Sequence, residues 1–122
     1  MILIDTSVLV RVLRGDADPA LAGEVQTLLR EGVAAWCPMV ELELWAGVRD
    51  SDERHRLSAF RNVLRSLAIE PAIWMAAIDL ADRVRQRGIT VPPSDLVIFA
   101  CATHHRAALL HRDRHFELLS RL

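Results

Sequence analysis

The first residues of the chain constrain its fold more than any other stretch. A short apolar run, Met1–Ile4, ends at Asp5 and is followed by two hydroxyl residues. An unbroken apolar run of this length is typical of a buried strand in a parallel sheet. Ligands of open α/β sheets bind beyond the carboxyl ends of the strands. Asp5 is therefore predicted to lie at a ligand site.

Strand and helix patterns alternate along the rest of the chain, which predicts an α/β fold. Further strands are expected at Val33–Cys37, Leu67–Glu70 and Ala107–Leu110. With right-handed crossovers, residues 1–122 form a single domain of three layers, α/β/α, around a parallel sheet of four strands in the order 3-2-1-4. The predicted helices are Ser7–Leu13, with Thr6 or Ser7 as its cap, Ala20–Glu31, Met39–Val48, Glu53–Ser66, Ala72–Arg87, Asp95–His105 and Phe116–Arg121.

The composition excludes several classes of protein. A net charge of −1 argues against a passive nucleic-acid-binding module, which is usually basic. All 15 basic residues are arginine, so P-loop, Schiff-base and phosphoacceptor receiver proteins, which need a lysine, are excluded. Cys37 and Cys101 lie in apolar runs without CxxC spacing and are expected to be reduced core thiols. Because Asp5 interrupts the N-terminal apolar stretch and no run is long enough to span a membrane, we expect no signal peptide and a cytoplasmic location.

Two acids lie where the pattern predicts buried surroundings. Asp5 follows a strand, although an aspartate in that place is also an ordinary helix cap. Glu43 shares a helical stripe with Val40, Leu44 and Gly47, which are apolar or small. A carboxylate on such a stripe is costly unless it is paired or binds a cation. A buried ion pair with an arginine is the alternative for Glu43.

Two further acids are predicted at the same end of the sheet. Asp95 opens the apolar helix that follows Pro92 and Pro93, where an acid also complements the helix dipole. Asp113 follows the fourth strand, where a turn acid balanced by neighbouring arginines is the alternative. Four carboxylates gathered together cannot all ionise unless a cation neutralises them. An all-oxygen set suits Mg²⁺ or Mn²⁺ rather than zinc, and such ions can activate water for phosphodiester hydrolysis.

The four segments that carry these acids form an ordered set. They are Ile4–Ser7, Glu43 with Leu44 and Gly47, Asp95 with the following Leu-Val-Ile-Phe-Ala-Cys-Ala, and His111–Asp113 with Phe116. The set resembles the signature segments of PIN-domain nucleases, and especially those of VapC toxins of bacterial toxin–antitoxin pairs. The resemblance covers essentially the whole chain, and it is the order of the segments that makes it specific.

The resemblance implies a Mg²⁺- or Mn²⁺-dependent endoribonuclease. Because many relatives cut tRNA or rRNA, one of these RNAs is the expected substrate. It makes Asp5, Glu43, Asp95 and Asp113 the catalytic and metal-binding acids, with Asp5 and Asp95 holding the principal ion. Arg112 is our candidate for a contact to the RNA phosphate. The chain departs from the family at His111, where a small hydroxyl residue is common. It also stops soon after Asp113, so a fifth strand is expected to be short or missing.

The partners expected are a cognate antitoxin and a second copy of the chain. Leu42 and Trp45 lie off the stripe of Glu43, and Val8, Leu9, Val12 and Leu13 add further apolar side chains, so part of this surface is predicted to form an interface. Trp45 is expected to lie near one of the two interfaces. The alternative is that the protein's own helices bury Trp45. A catalytically inactive PIN scaffold is the alternative function, and zinc binding by the five histidines is the alternative chemistry.

Overall fold

Four short strands form the sheet at the centre of the computed structural model, which describes residues 1–122. They are β1 Ile2–Ile4, β2 Ala34–Trp36, β3 Arg65–Ser66 and β4 Ala108–Leu110. The strand order is β3-β2-β1-β4, which confirms the predicted order 3-2-1-4, and no fifth strand forms. Every ladder is parallel, with Leu3 of β1 opposite Ala35 of β2 and Leu109 of β4. The carboxyl ends of the strands therefore meet at one edge.

Seven helices complete the predicted three-layer α/β/α fold. They are α1 Thr6–Arg14, α2 Pro19–Arg30, α3 Pro38–Ala46, α4 Ser51–Val63, α5 Pro71–Gln86, α6 Pro93–His104 and α7 Arg114–Ser120. Proline is the first residue of α2, α3, α5 and α6. At this position a backbone N–H would have no hydrogen-bond partner within the helix, so proline costs nothing there. None of the seven helices combines the length and the apolar character needed to cross a bilayer.

The third strand lies two residues earlier than predicted. The prediction of Leu67–Glu70 is wrong, and the helix before it ends at Val63 rather than at Ser66. Leu64 leaves that helix in an extended conformation with its side chain buried, and Leu67 is buried after the strand. Between them, both residues of β3 are exposed, because β3 is an edge strand. An edge strand of polar residues carries no apolar signal in the sequence.

The core confirms the prediction for α6 and for the thiols. From Leu96 to Ala102, every residue of α6 except Phe99 is less than 9% exposed, so this helix is buried on nearly all sides. Cys37 and Cys101 are free, and both are fully buried. A fully buried aliphatic side chain contributes about 1.5–3 kcal/mol to folding, so the buried side chains of α6 hold this helix firmly in the core. The position of Asp95, in the first turn of α6, is fixed together with the helix.

The apolar surplus predicted on the first helix is wrong for three of its four residues. Val8, Leu9 and Leu13 are at most 3% exposed, because α3 and α4 both pack against α1. Val12 remains half-buried, in a narrow apolar groove between α1, α2 and α4. Large exposed apolar side chains lie mainly on other helices: Leu42 on α3, Val63 on α4, and Trp74, Met75 and Ile78 on α5.

Candidate active site

Asp5 lies directly after β1, and its backbone N–H donates to the carbonyl oxygen of Leu110 at the end of β4, at 2.9 Å. The residue is only 2% exposed. Its Oδ2 accepts hydrogen bonds from the N–H and the Oγ of Ser7, at 3.0 and 2.7 Å, so Asp5 caps α1 in place of the predicted Thr6 or Ser7. Its Oδ1 is buried without any hydrogen-bond partner. A buried carboxylate oxygen without a partner is costly, and a bound cation removes that cost.

Glu43 is half-buried in α3, on the same stripe as the buried residues Val40 and Leu44, whereas Gly47 at the end of the predicted stripe is exposed. Its Oε1 accepts a hydrogen bond from Thr6 Oγ1 at 2.8 Å, and its Oε2 accepts one from Ser94 Oγ at 3.2 Å. These hydroxyls belong to α1 and α6, so Glu43 is held between two helices. No arginine pairs with it, and the alternative of a buried ion pair is therefore not what the structure contains.

Asp95 occupies the first turn of α6 and is 7% exposed. Burial raises the pKa of Asp95 to about 6, and the negative charges of Asp113, Asp5 and Glu43 add to the rise, which His115 partly opposes. Burial and like charge both disfavour the ionised form of a carboxyl group. The pKa of Asp95 is therefore raised by its own burial first, and then by the negative charges of the other three predicted acids.

Asp113 caps α7, and it shares a histidine with Asp95. Its Oδ1 accepts the backbone N–H of His115 at 2.9 Å. The Nδ1 of His115 lies 2.9 Å from that same Oδ1 and 3.1 Å from Oδ2 of Asp95. Donor atoms of these three residues all lie within 4.8 Å of one another, which is close enough for one metal ion to contact them together. His115 is the only basic side chain that touches the acids at this edge.

The structure thus brings the four predicted acids to one edge of the sheet and orients three of them with neutral donors, whereas Asp95 contacts His115. Hydroxyl and N–H groups fix the carboxylates of Asp5, Glu43 and Asp113, yet they leave the negative charges in place. No arginine forms a salt bridge with any of them. Carboxylate-rich clusters of this kind suit Mg²⁺ or Mn²⁺, whereas zinc sites are built mainly from nitrogen and sulfur donors. The zinc alternative is not favoured, because only one histidine joins the cluster.

Sequence reasoning assigned no role in the site to four residues that the structure brings into it. They are Thr6, Ser7, Ser94 and His115. Thr6, Ser7 and Ser94 each lie next to, or two residues from, a predicted acid, and this proximity is the only signal that the sequence carries for them. His115 lies two residues after Asp113, and its contact with Asp95 depends on how α7 packs against α6.

Arg112 and His111 lie at the rim of the site. The backbone N–H of Arg112 donates to Ser7 Oγ at 2.9 Å, and its guanidinium donates to the carbonyl oxygen of His111 at 3.0 Å. The side chain of Arg112 is exposed and pairs with no acid. His111 Nδ1 accepts the backbone N–H of Asp113 at 3.2 Å, and its ring packs against Phe116. His111 therefore helps to fix the backbone that carries Asp113.

Comparison with known proteins links this geometry to one family. The family model described as "PIN domain" matches residues 2–122. The VapC ribonuclease Mb1587 of Mycobacterium bovis is 36% identical over 126 aligned positions, which cover 100% of this chain and 93% of that protein.

Solved structures of low sequence identity share the fold. The VapBC2 structure from Rickettsia felis, which is bound to a promoter DNA fragment, has a chain that superimposes with a TM-score of 0.85 at 20% identity, covering 100% of this chain and 96% of that one. A chain of FitAcB from Neisseria gonorrhoeae gives a TM-score of 0.79 at 17% identity, with 100% and 94% covered. The similarity of fold thus extends over the whole length of the chain.

Proposed function

The chain belongs to the PIN-domain family, and we propose that it is a metal-dependent endoribonuclease that acts in the cytoplasm as the toxin of a toxin–antitoxin pair. The observation that carries this proposal is the edge of the sheet, where four acids converge and the buried Oδ1 of Asp5 has no partner. The ribonuclease name of the relative at 36% identity supports the same activity. The alternative of an inactive scaffold has no observation in its favour, since none of the four acids is missing or displaced.

The donor set fits a divalent cation. Asp5 and Asp95 would hold the principal Mg²⁺ or Mn²⁺, and Glu43 and Asp113 would complete the site or hold a second ion. When bound, such an ion lowers the pKa of a coordinated water and neutralises the charge that develops on the phosphodiester. Because the carboxylates are already oriented by their neighbours, little reorganisation is needed when the ion binds.

The protein's own residues perform the positioning. Ser7 joins two parts of the site, because its Oγ donates to Asp5 and accepts the backbone N–H of Arg112. Thr6 and Ser94 fix both oxygens of Glu43, which lets this carboxylate orient a water molecule for in-line attack on the phosphorus. Arg112 is our candidate for a contact to a phosphate of the RNA, because its guanidinium is exposed and lies next to Asp113.

The antitoxin is proposed to bind the apolar groove between α1, α2 and α4. The groove is lined only by apolar residues, Leu9, Val12, Val25, Leu29, Phe60, Val63 and Leu64. Val63 is 53% exposed although it is large and apolar. An amphipathic segment that places apolar side chains in such a groove would cover this surface. A basic side chain that the same partner sends to the acids would compete with Mg²⁺ and inhibit the enzyme.

A homodimer is the second proposed assembly. Trp74, Met75 and Ile78 on α5 are 46%, 66% and 63% exposed, which is unusual for a small domain without a partner.

Trp45 on α3 is half-buried, with Arg54 and Arg61 over its ring. We expect Trp45→Ser to weaken either dimerisation, measured by light scattering, or antitoxin capture. A wild type that stays monomeric at high concentration would contradict the dimer, and an unaffected variant would remove Trp45 from both interfaces.

The direct test of the function is cleavage of RNA by the purified chain. Wild type should cut RNA in Mg²⁺ or Mn²⁺ and lose this activity in excess EDTA, whereas Asp5→Asn should be inactive in every condition. Circular dichroism checks that the variant is folded. Cleavage that continues unchanged in EDTA would contradict metal dependence, and a folded wild type without activity on any RNA tested would favour the inactive scaffold.

A further inference from the structure

His115 is the one basic side chain built into the acidic edge, and its position is fixed from two directions. It is the second residue of α7, and its backbone N–H donates to Oδ1 of Asp113 at 2.9 Å. Its side chain is 25% exposed, and Nδ1 lies between the carboxylates of Asp113 and Asp95, at 2.9 and 3.1 Å. A histidine held by one backbone bond and two carboxylates has little freedom to turn away from the site.

The spacing of these three residues matches neighbouring ligands of a single metal ion. With metal–ligand bonds of about 2.1 Å in octahedral geometry, adjacent ligand atoms lie about 3.0 Å apart. The separations of Nδ1 from the two carboxylate oxygens, 3.1 and 2.9 Å, bracket that value. The Nε2 atom has no hydrogen bond within the protein, so the ring proton can reside there and leave the lone pair of Nδ1 available to a metal.

A second observation points to a cation in addition to the histidine. Oδ1 of Asp5 is buried and has no partner, and Asp5 is only 2% exposed. Neither His115 nor any arginine forms a hydrogen bond or salt bridge with Asp5. The contacts of His115 with Asp95 and Asp113 therefore leave Oδ1 of Asp5 without a partner, and a cation at this edge of the sheet would balance that remaining charge.

We propose that Nδ1 of His115 is a metal ligand, and that this nitrogen makes the site select Mn²⁺ over Mg²⁺. The inference rests on the proposed metal-dependent function and adds one residue and one preference to it. Mg²⁺ is a hard ion that prefers oxygen donors and keeps its water molecules, so an imidazole in the donor set penalises it. Mn²⁺ accepts the carboxylates equally well and tolerates the imidazole, as first-row transition metals do.

The consequence is measurable in binding, independently of RNA cleavage. Calorimetric titration of the full metal-free chain gives its affinities for Mn²⁺ and Mg²⁺ and therefore the ratio of the two. We expect His115→Asp, which replaces the nitrogen by oxygen, to lower the Mn²⁺/Mg²⁺ affinity ratio about tenfold or more. His115→Asn should weaken Mn²⁺ binding about tenfold or more and affect Mg²⁺ less.

A spectroscopic signature separates a ligand from a residue that merely supports the fold. In wild type, the spin-echo modulation of bound Mn²⁺ should show a directly coordinated nitrogen, and His115→Asp should lose that signal. His104 provides a matched control, because its Nε2 also lies 3.1 Å from a carboxylate, that of Glu70, at the opposite end of α6. His104→Asn should retain both the nitrogen signal and the affinity ratio.

The outcomes distinguish this inference from the function on which it rests. If wild type binds Mn²⁺ without nitrogen modulation, or if His115→Asp leaves the affinity ratio unchanged, the role of His115 is overturned and the metal-dependent function stands. If neither ion binds wild type, both are overturned. If His115→Asp does not fold, His115→Asn and the wild-type nitrogen signal still decide the question.

Discussion

Carboxylates are buried in two regions of this protein, and the two regions differ in whether arginines balance the negative charge. Glu53 on α4 is 1% exposed, and its Oε2 lies 2.6 Å from Arg49 Nη2 and 3.3 Å from Arg14 Nε. Hydrogen bonding from Arg49 holds the pKa of Glu53 below its ordinary value. At the strand edge, Asp5 and Asp95 are equally hidden, yet no arginine pairs with them, and the pKa of Asp95 rises to about 6.

The difference separates a buried acid that is paired within the fold from buried acids that no arginine pairs. Arginines neutralise Glu53 permanently, so the loop after α3 and the start of α4 are joined by a complete ion pair. The hydroxyls and N–H groups around Asp5 orient its carboxylate but leave its charge unbalanced. On the proposed function, a cation from solution balances this charge.

The largest effect is expected on activity at the strand edge. Asp95→Asn preserves the shape of the side chain but removes the charge that a metal needs, so RNA cleavage should fall by at least about a hundredfold. The rate is measured on a defined RNA with excess Mn²⁺, and circular dichroism verifies the fold. Cleavage by a folded Asp95→Asn within a few-fold of wild type would remove Asp95 from the site.

The opposite behaviour is expected at Glu53. Glu53→Gln breaks the buried ion pair, so the melting temperature should fall by roughly 5–10 °C while cleavage per folded molecule stays within about twofold of wild type. Arg85→Ala is the control, because the Arg85–Asp82 pair is exposed and should shift the melting temperature by about 1 °C or less. A loss of cleavage as large as that of Asp95→Asn would mean that the two regions are not separate.

A smaller and opposite effect on stability is expected for Asp95→Asn without metal. The pKa of Asp95 in the folded state, about 6, lies above the ordinary value of 3.8. The protonated carboxyl group therefore contributes its full stabilisation below pH 4, and this stabilisation is lost as the pH rises through 6. The asparagine variant does not lose this stabilisation, because asparagine does not ionise. In EDTA it should therefore match wild type near pH 4 and exceed it at pH 7, by at most about 3 kcal/mol. Equal unfolding free energies at pH 7 would contradict the raised pKa.

The smallest effect is expected from the hydroxyls that orient Glu43. Thr6→Val and Ser94→Ala each remove one hydrogen bond to that carboxylate, so cleavage should fall by about three- to tenfold, since a single neutral hydrogen bond contributes about 1 kcal/mol. Ser58→Ala is the control, because its hydroxyl donates only to a backbone carbonyl on the exposed side of α4. If both site variants cleave at the wild-type rate, Glu43 does not depend on these donors.

The sequence predicted those parts of the molecule whose signal is local. The apolar run before Asp5 and the apolar stripe around Glu43 located a strand, a helix and two acids, because burial follows the period of each element. The strand order followed from the alternation of elements and from the handedness of the crossovers. The family was identified from the order of the four segments, and the match to residues 2–122 confirms it.

The parts that the sequence did not predict depend on contacts between distant residues. The edge strand β3 consists of two exposed polar residues, so no apolar pattern marks it. The hydrogen bond from Ser94 to Glu43 joins residues 51 positions apart, and the contact of His115 with Asp95 spans 20. The surplus predicted at Val8 and Leu9 was wrong, because the packing of α3 and α4 on α1 is not visible in a local pattern.

We propose that a divalent cation from solution balances the charge at the strand edge. The melting temperatures of wild type and Asp95→Asn at pH 7, each in EDTA and in saturating Mn²⁺, test this most directly. We predict that Mn²⁺ stabilises wild type by several degrees, as RT ln(1 + [L]/Kd) requires for a ligand of the folded state, and leaves the variant nearly unchanged. An equal shift in both proteins, or no shift in wild type, would contradict the claim.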